Sequence, residues 1–278
     1  MSLPDVQARP DERGIALDEV GVKGLRLPVL IADGQGAKRE TVATVAAAVN
    51  LEAQVKGAHL SRFVEVLSEQ LREVAPAQLD LVVEDVRQRL GAQRARVEVC
   101  FPYFLERHAP VSGLRSLMDY DCSIVSESDW QRVTTELRVR VPVTSVCPCS
   151  KAISDRGAHN QRGYVTITAR LAEGQPAERA PWFTELIDIA EASGSSPVYA
   201  LLKRPDERHV TMAAYDNPVF VEDMARSVAS ALCHDTRVAG FDIDVVNDES
   251  IHNHDAYAHL SWPPHTESAG SGATRATN

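Results

Sequence analysis

Two cysteines and one histidine on a short irregular segment are the residues whose types and spacing best suit chemistry in this sequence. Cys147 and Cys149 are separated by a single residue, and His159 follows ten positions after the second cysteine. The segment between them is rich in Pro, Ser, Asp, Gly and Asn, which favour loops. Strand-like runs lie on both sides. We therefore expect a loop held at both ends by strands, a common way to present reactive groups.

Thiolate sulfur and imidazole nitrogen together suit zinc and related divalent metals. In an extended backbone Cys147 and Cys149 point to opposite sides, so they can share one ion only if Pro148 bends the chain. We expect one cysteine to bind the metal and the other to face a substrate, without assigning which. Two small buried residues beside a hydrogen-bonded loop histidine are an alternative explanation of the same pattern.

Two carboxylates are candidates for the same site. Glu207 follows the basic residues Lys203 and Arg204, which would suit either a carboxylate ligand beside a phosphate-binding cluster or a solvated charged loop. Glu222 lies in the first turns of a predicted helix and projects from its flank. It could accept two N–H groups from a planar heterocycle, or it could form an i,i+4 pair with Arg226.

Histidines in two other places could also take part. His252 and His254 lie in a turn between the last two predicted strands, where either could transfer a proton or bind a metal. Surface turn histidines without such a role are also common. His59 and Arg62 open the first amphipathic helix, whose N-terminus favours anions. Capping and helix packing explain these two residues equally well.

Composition limits the class of protein. The chain has 278 residues, 44% of them hydrophobic and 24% charged, which is ordinary for a globular protein. A net charge of −10 argues against a nucleic-acid-binding protein but not against a small phosphorylated substrate. No apolar run is long enough for a membrane span, and the polar N-terminus does not resemble a signal peptide. Five cysteines, an odd number, do not suggest a disulfide framework, so we expect a cytoplasmic protein.

Hydrophobic periodicity predicts the elements of the first half. A strand over 21–31 and a turn at 33–36 are followed by a long strand that alternates from Val45 to Val55. Two helices follow, and further strands are predicted around 97–101 and over 113–125. Each helix is predicted to bury one apolar stripe, formed by Leu60, Phe63, Val64, Leu67 and Leu71 in the first and by Leu79, Val82, Val83, Val86 and Leu90 in the second.

The second half repeats this plan. Strands over 132–146 and 162–172 precede a helix over 181–193, and a long connection runs from Gly194 to Arg208. Asn217 and Pro218 are predicted to cap a helix that extends to about residue 234. Two strands complete the pattern, the first around 241–245 and the second over 256–262.

The predicted fold class is therefore α+β, with two tandem ββααββ units, antiparallel sheets and helices packed on one face. We assign residues 1–14 to a flexible arm, 15–128 to the first unit, 129–262 to the second unit with most of the active site, and 263–278 to a disordered tail. Small residues on the open sheet face would suit packing against another subunit, and these are Ala43, Ala46, Ala47 and Ala48.

Six motifs in order resemble the type IB GTP cyclohydrolase I family over about residues 20–262. They are KGAHLSRF (56–63), CPCSK (147–151), GAHNQR (157–162), LKRPDE (202–207), NPVFVEDM (217–224) and ESIH (249–252). The resemblance implies the tunnelling fold and a homotetramer with active sites at subunit interfaces. It also implies a divalent metal, either zinc, manganese or iron. The implied reaction converts GTP and water to 7,8-dihydroneopterin triphosphate and formate, the first step of tetrahydrofolate biosynthesis.

The resemblance also implies roles for individual residues. The metal ligands would be Cys147, His159 and Glu207, and the metal would activate water to attack C8 of guanine. Glu222 would anchor the guanine edge. Cys149 and His252 would lie near the reacting carbon, with His252 the better candidate for proton transfer. Candidates for binding the triphosphate are Lys151, Arg62, Lys203 and Arg204.

Two alternative functions come from different classes. The chain could be another pterin or purine enzyme of the same fold, such as an aldolase, a pterin synthase or a nitrile reductase. The Cys147–Cys149 pair together with His159 favours the cyclohydrolase. The chain could instead be a non-catalytic oligomer that binds nucleotides or metals. The presence of ligand, anchor and acid candidates together argues against that reading.

Overall fold

Alternating apolar residues build a set of long strands, and helices connect them. The computed structural model describes residue 7 and residues 10–32, 38–173 and 182–263. The strands in these ranges are β1 (Leu17–Ala32), β2 (Lys38–Leu51), β3 (Glu73–Val74), β4 (Arg94–His108), β5 (Arg115–Asp129), β6 (Val133–Val146), β7 (Asn160–Leu171), β8 (Ser196–Pro197), β9 (Val238–Asn247) and β10 (Ala256–Trp262). The helices are α1 (Leu60–Gln70), α2 (Pro76–Arg89), α3 (Pro148–Ile153), α4 (Phe183–Ser193), α5 (Arg204–Asp216) and α6 (Val221–Leu232).

The strands form one sheet in the order β10-β9-β7-β6-β5-β4-β2-β1-β3, with β8 paired to β6. All of these pairs are antiparallel except β1 with β3, which is parallel. The β5–β6 hairpin joins the two predicted units at their boundary. Both units therefore contribute to one continuous sheet.

The helices cover one face of this sheet and enclose the hydrophobic core with it. Helices α1 and α2 lie over the first half, and α4 and α6 lie over the second half. The buried side of β2 shows the expected alternation, since Val45 and Val49 are buried and Thr44 is exposed. In α2 the predicted stripe is confirmed, because Leu79 and Val86 are completely buried. The ββααββ pattern is thus present in both halves, with β3, α3, β8 and α5 as additions.

The stripe predicted for α1 is partly wrong. Phe63 and Leu67 are buried as predicted, but Leu60 and Val64 are 46% and 39% exposed, and Val66 is buried instead. Helix α1 packs against both α2 and β1, so its buried side is rotated toward Val66. The helix thus buries the side that touches two neighbouring elements.

The predicted long connection after α4 contains helix α5. This helix begins at Arg204 and ends at Asp216, and Asn217 is its C-cap residue. The prediction that Asn217 caps the following helix is therefore wrong. Its side-chain amide donates instead to the carbonyl of Gly194 at 3.1 Å, and α6 begins at Val221 with Phe220 as its N-cap residue.

Several predictions concern residues outside the described ranges, namely most of the arm, the turn at 33–36 and the tail from residue 264. Within the arm, Pro10 forms an isolated bridge with Val55, and the N–H of Asp11 donates to the carbonyl of Gln54. Four alanines of β2 were predicted to lie on the open face of the sheet. The prediction is wrong for Ala43 and Ala47, which are buried on the helix side of β2. In the described part of the chain, every helix is too short or too polar to span a membrane.

Candidate active site

Cys147 begins a short helix that turns the chain between two strands. It is the N-cap residue of α3, and Pro148 takes the first helical position, where a proline fits because its N–H would have no helical partner. The Sγ atom of Cys147 accepts a hydrogen bond from the N–H of Ser150 at 3.4 Å. Pro148 thus bends the chain directly after Cys147. The two cysteines differ in environment, since Cys147 is half-buried and Cys149 is exposed.

Backbone hydrogen bonds hold His159 beside Cys147. The N–H of Cys147 donates to the carbonyl of His159 at 3.2 Å, and the N–H of His159 donates to Ser150 Oγ at 3.2 Å. These bonds continue the pairing of β6 with β7, which ends where Val146 lies opposite Asn160. The fold therefore brings together two of the three predicted metal ligands.

The ring of His159 lies against a buried polar network. Its Nδ1 atom is 2.8 Å from Oε1 of Gln161 and 3.8 Å from Oε2 of Glu249. The Nε2 atom of Gln161 is 3.5 Å from Oε1 of Glu249 and also 3.5 Å from Oγ of Ser145. The side chain of His159 is only 12% exposed. Within the described ranges these contacts involve only Nδ1 of the ring, so Nε2 can bind a ligand.

Two buried oxygen atoms in this network have no hydrogen-bond partner within the described residues. They are Oδ1 of Asn247 and Oε2 of Glu249. A buried acceptor without a partner costs about 1–3 kcal/mol, so such atoms are uncommon outside functional sites. Oε2 of Glu249 lies 3.8 Å from Nδ1 of His159, and Asn247 joins the same network through a hydrogen bond to Ser145. This part of the chain therefore has the polar, incompletely satisfied character of a binding site.

A glycine provides the space for Asn247. Gly163 lies in β7 opposite Asn247, and a Cβ atom at Gly163 would overlap Oδ1 of Asn247 and lie 3.3 Å from Cγ2 of Val143. We expect Gly163→Ala to destabilise the protein by about 1–3 kcal/mol through overpacking, measured by urea unfolding. Gly57→Ala is the control, because its Cβ would meet only the flexible side chain of Gln7 at 3.4 Å. Equal stability of the two variants would contradict this account.

Glu207, the third predicted ligand, lies in the first turn of α5 and is exposed. The residue before it, Asp206, is completely buried. Its carboxylate accepts the N–H groups of Val111 and Ser112 at 2.8 Å each, the Ser112 hydroxyl at 2.7 Å and the N–H of Lys203 at 2.9 Å. Asp206 therefore ties the start of α5, and with it Glu207, to the loop between β4 and β5.

The charge of Asp206 is stabilised by these contacts. Burial alone would raise the pKa of its carboxyl, but the hydrogen bonds from Ser112, Lys203 and Val111 outweigh burial and hold the pKa well below its usual range. We expect Asp206→Ala to release the loop, because the Val111 and Ser112 N–H groups lose their acceptor. Hydrogen exchange should become faster at these two amides and stay unchanged in α2. Unchanged protection at Val111 and Ser112 would refute the anchoring role.

Lys151, a candidate for binding phosphate, is engaged elsewhere in the chain. Its ammonium donates to the carbonyl of Tyr215 and lies 4.3 Å from the centre of the Tyr215 ring. Tyr215 lies at the end of α5, about 12 Å from Glu207 at a rise of ~1.5 Å per residue. Lys151 therefore packs α3 against the far end of α5.

Glu222 lies in the first turn of α6 and is exposed. The alternative i,i+4 pair with Arg226 is not formed, since Arg226 instead lies 3.6 Å from the carboxylate of Asp223. In the described part of the chain, the Glu222 carboxylate makes no hydrogen bond or ion pair. It is therefore available to a ligand.

The remaining candidates lie on the surface. His252 and His254 are exposed in the β9–β10 turn, with their rings stacked 5.2 Å apart. Lys203 and Arg204 are exposed at the start of α5. Arg62 is exposed on α1, which packs on β1. Strand β1 is five positions from β7 in the sheet, about 24 Å at ~4.8 Å per strand. A single chain thus does not bring Arg62 to the Cys147–His159 pair.

The full predicted ligand set is not assembled in this single chain. Among the described residues, no three side chains of His, Cys, Asp or Glu are grouped closely enough to hold a metal ion. The Cys147–His159 pair fits a metal by the chemistry of its sulfur and nitrogen donors. Glu207 supplies a suitable oxygen donor, but its place in the site stays a prediction.

Sequence reasoning missed three residues: buried Gln161 and partly buried Glu249 beside His159, and buried Asp206 next to Glu207 in α5. A signal existed for Gln161, because it follows His159 by two positions and alternate residues of a strand share a face. Glu249 opens the ESIH motif, and Asp206 precedes Glu207 in the LKRPDE motif. Their burial depends on segments distant in sequence, which the local pattern does not reveal.

Comparison with known proteins gives a consistent result. A family model described as type I GTP cyclohydrolase folE2 matches residues 3–258. The chain is 48% identical to GTP cyclohydrolase FolE2 of Methylococcus capsulatus, over 97% of this chain and 98% of that one. It is 49% identical to GTP cyclohydrolase FolE2 1 of Dechloromonas aromatica, over 93% and 95% of the two chains.

Solved structures with a similar fold include uricase from Arthrobacter globiformis. That structure matches with a TM-score of 0.52 and 8% identity, over 92% of this chain and 95% of that one. At this identity the likeness concerns the fold alone. Uricases of this kind have the tunnelling fold, so the predicted fold class is confirmed.

Proposed function

Because the chain belongs to the type I GTP cyclohydrolase folE2 family, we propose that it converts GTP and water to 7,8-dihydroneopterin triphosphate and formate. This reaction is the first step of tetrahydrofolate biosynthesis. The observation that carries the proposal is the backbone-held pair of Cys147 and His159, a sulfur and an imidazole donor beside a polar network. The likeness to FolE2 proteins over nearly the whole chain supports the same activity.

Cys147, His159 and Glu207 would hold a divalent metal ion, either zinc, manganese or iron. Their sulfur, nitrogen and oxygen donors suit such an ion. When bound, the metal would supply a water molecule acidified enough to attack C8 of guanine. Asp206 would keep Glu207 in place by anchoring the start of α5.

The other polar residues would bind and orient the substrate. Glu222 has a free carboxylate that can accept the N–H and NH₂ groups of the guanine edge, which fixes the purine in the site. His252 would protonate the imidazole nitrogen of guanine as the ring opens, a general-acid role that histidines commonly take in enzymes. Cys149, exposed in the first turn of α3, would lie near the reacting carbon.

Basic residues would bind the triphosphate, which carries about four negative charges near neutral pH. Lys203 and Arg204 are exposed at the start of α5, next to Glu207. Arg62 would serve the active site of a neighbouring subunit, since it lies far along the sheet from Cys147. Lys151 would need to leave Tyr215 to reach phosphate, so it is the weakest of the four candidates.

We further propose a homotetramer with active sites between subunits, located in the cytoplasm. The distribution of the candidate residues over distant parts of the sheet supports a shared site. The five cysteines are all unpaired, which is expected in a reducing compartment.

The proposal is tested by incubating the purified protein with GTP and either Mn²⁺, Zn²⁺ or Fe²⁺, followed by oxidation and fluorescence detection of neopterin. Metal-dependent formation of neopterin and formate is the expected result. Binding of metal and GTP without product would favour the alternative of a non-catalytic binding protein. Turnover of a different pterin or purine would favour another enzyme of this fold.

A further inference from the structure

A buried amide lies between the ring of His159 and two oxygen acceptors. Oε1 of Gln161 is 2.8 Å from His159 Nδ1, and Nε2 of Gln161 is 3.5 Å from both Glu249 Oε1 and Ser145 Oγ. Gln161 is 8% exposed, and the side chains of His159 and Glu249 are 12% and 11% exposed. Since little water reaches these groups, each must satisfy its neighbour. Which end of the Gln161 amide faces His159 therefore decides which nitrogen of the neutral ring carries the proton.

Both acceptors orient the amide in the same direction. The Glu249 oxygen that faces Gln161 Nε2 serves as a hydrogen-bond acceptor. The Ser145 hydroxyl gives its single proton to the carbonyl of Val219 at 3.1 Å, so toward Gln161 it also can only accept. The NH₂ group of Gln161 must consequently face Glu249 and Ser145, which turns its carbonyl oxygen toward His159. This oxygen can bond only to a protonated Nδ1.

We propose that Gln161 and Glu249 are positioning residues that hold neutral His159 in the tautomer with the proton on Nδ1. Nε2 then carries the lone pair and faces away from the network, ready to bind a metal. A metal-binding histidine usually has its second nitrogen fixed by such a partner, and loss of that partner weakens metal binding about 10–100-fold. The inference that these residues support metal binding rests on the proposed function. The inference about the tautomer of His159 is independent of it.

Exchanging the donor and acceptor groups at positions 161 and 249 distinguishes a positioning role from a packing role. Gln161→Leu removes the acceptor for Nδ1–H, and Glu249→Gln allows the Gln161 amide to turn over. The double variant Q161E/E249Q restores the order of donors and acceptors, because the new carboxylate at 161 accepts from His159 and from the new amide at 249. It loses only the weak contact with Ser145. A purely structural role would not be rescued by this exchange.

The first measurement is the Zn²⁺ dissociation constant of the full-length protein, by competition with a chromophoric chelator. We expect an increase of about 10–100-fold in Gln161→Leu and recovery of most of the affinity in Q161E/E249Q. Thr166→Val, another buried polar position of β7 that does not touch His159, is the matched control and should bind like wild type. A measurable wild-type constant that Gln161→Leu leaves unchanged would overturn the positioning role.

The second measurement needs neither metal nor activity. Histidine nitrogen chemical shifts of the metal-free, ¹⁵N-histidine-labelled protein, recorded above pH 8 by magic-angle-spinning NMR, report the tautomer. The His159 signals are identified by their loss in His159→Asn. We expect Nδ1–H in wild type and a mixture in Gln161→Leu, and Nε2–H in wild type would overturn the inference. Failure of wild type to bind any divalent metal would contradict the proposed function and leave this tautomer result standing.

Discussion

Replacing Cys147 with alanine is expected to reduce GTP turnover to below about one-thousandth of the wild-type rate. The substitution removes the sulfur donor that lies beside His159, and without it the metal is lost or no longer activates water effectively. The fold should persist, because Cys147 is only half-buried and accepts a single long hydrogen bond from Ser150. The measurement is neopterin formation at saturating Mn²⁺ together with the unfolding midpoint.

Cys233→Ala is the matched control for this variant. Cys233 is also half-buried, and its thiol donates a hydrogen bond to the carbonyl of Ser230 near the end of α6. We expect the control to keep its turnover and stability. A Cys147→Ala enzyme that works at the wild-type rate would exclude Cys147 as an essential ligand.

Replacing Glu222 with glutamine is expected to lower kcat/KM for GTP by about 10–100-fold. A carboxylate can accept two N–H groups, whereas an amide turns an NH₂ group toward one of them. Hydrogen bonds to a charged group are worth about 1.5–3 kcal/mol, and each ~1.4 kcal/mol corresponds to a tenfold change. Steady-state kinetics measures the effect. Metal content should not change, because Glu222 anchors the purine rather than the ion.

Glu65→Gln provides the comparison, since Glu65 is an exposed glutamate on α1. It should leave kcat/KM and metal content unchanged. An unaltered kcat/KM in Glu222→Gln would remove the anchoring role of Glu222. Loss of metal in the same variant would place the carboxylate among the ligands instead.

The sequence predicted the elements that have a strong apolar period. Helix α2 shows this best, because its stripe from Leu79 to Val86 packs on the sheet as predicted. Helix α5 was missed, because only Asp206 and Ala214 are buried in it and no apolar stripe marks it. Charged residues dominate the first turns of α5, and such a composition is equally typical of a surface loop. The rotation of α1 toward Val66 depends on its contacts with α2 and β1, so the sequence of α1 alone could not predict it.

The same distinction holds for the candidate site, where contacts between neighbouring strands could be predicted and long-range contacts could not. The closeness of Cys147 and His159 follows from a loop between two paired strands, which the sequence could predict. The contact of His159 with Glu249 joins the segment before β7 to the segment after β9, and the Asp206 anchor joins α5 to the β4–β5 loop. Such long-range contacts depend on the strand order, which periodicity alone does not give.

The position of the metal ion itself is the most direct test of the central claim. Anomalous diffraction from a crystal of the protein grown with Mn²⁺, recorded at the manganese absorption edge, locates the ion and its ligands. We predict one strong peak per chain, bound by Sγ of Cys147, a ring nitrogen of His159 and a carboxylate oxygen of Glu207. A manganese peak on other residues, or none at this pair in a crystal of active enzyme, would contradict the account.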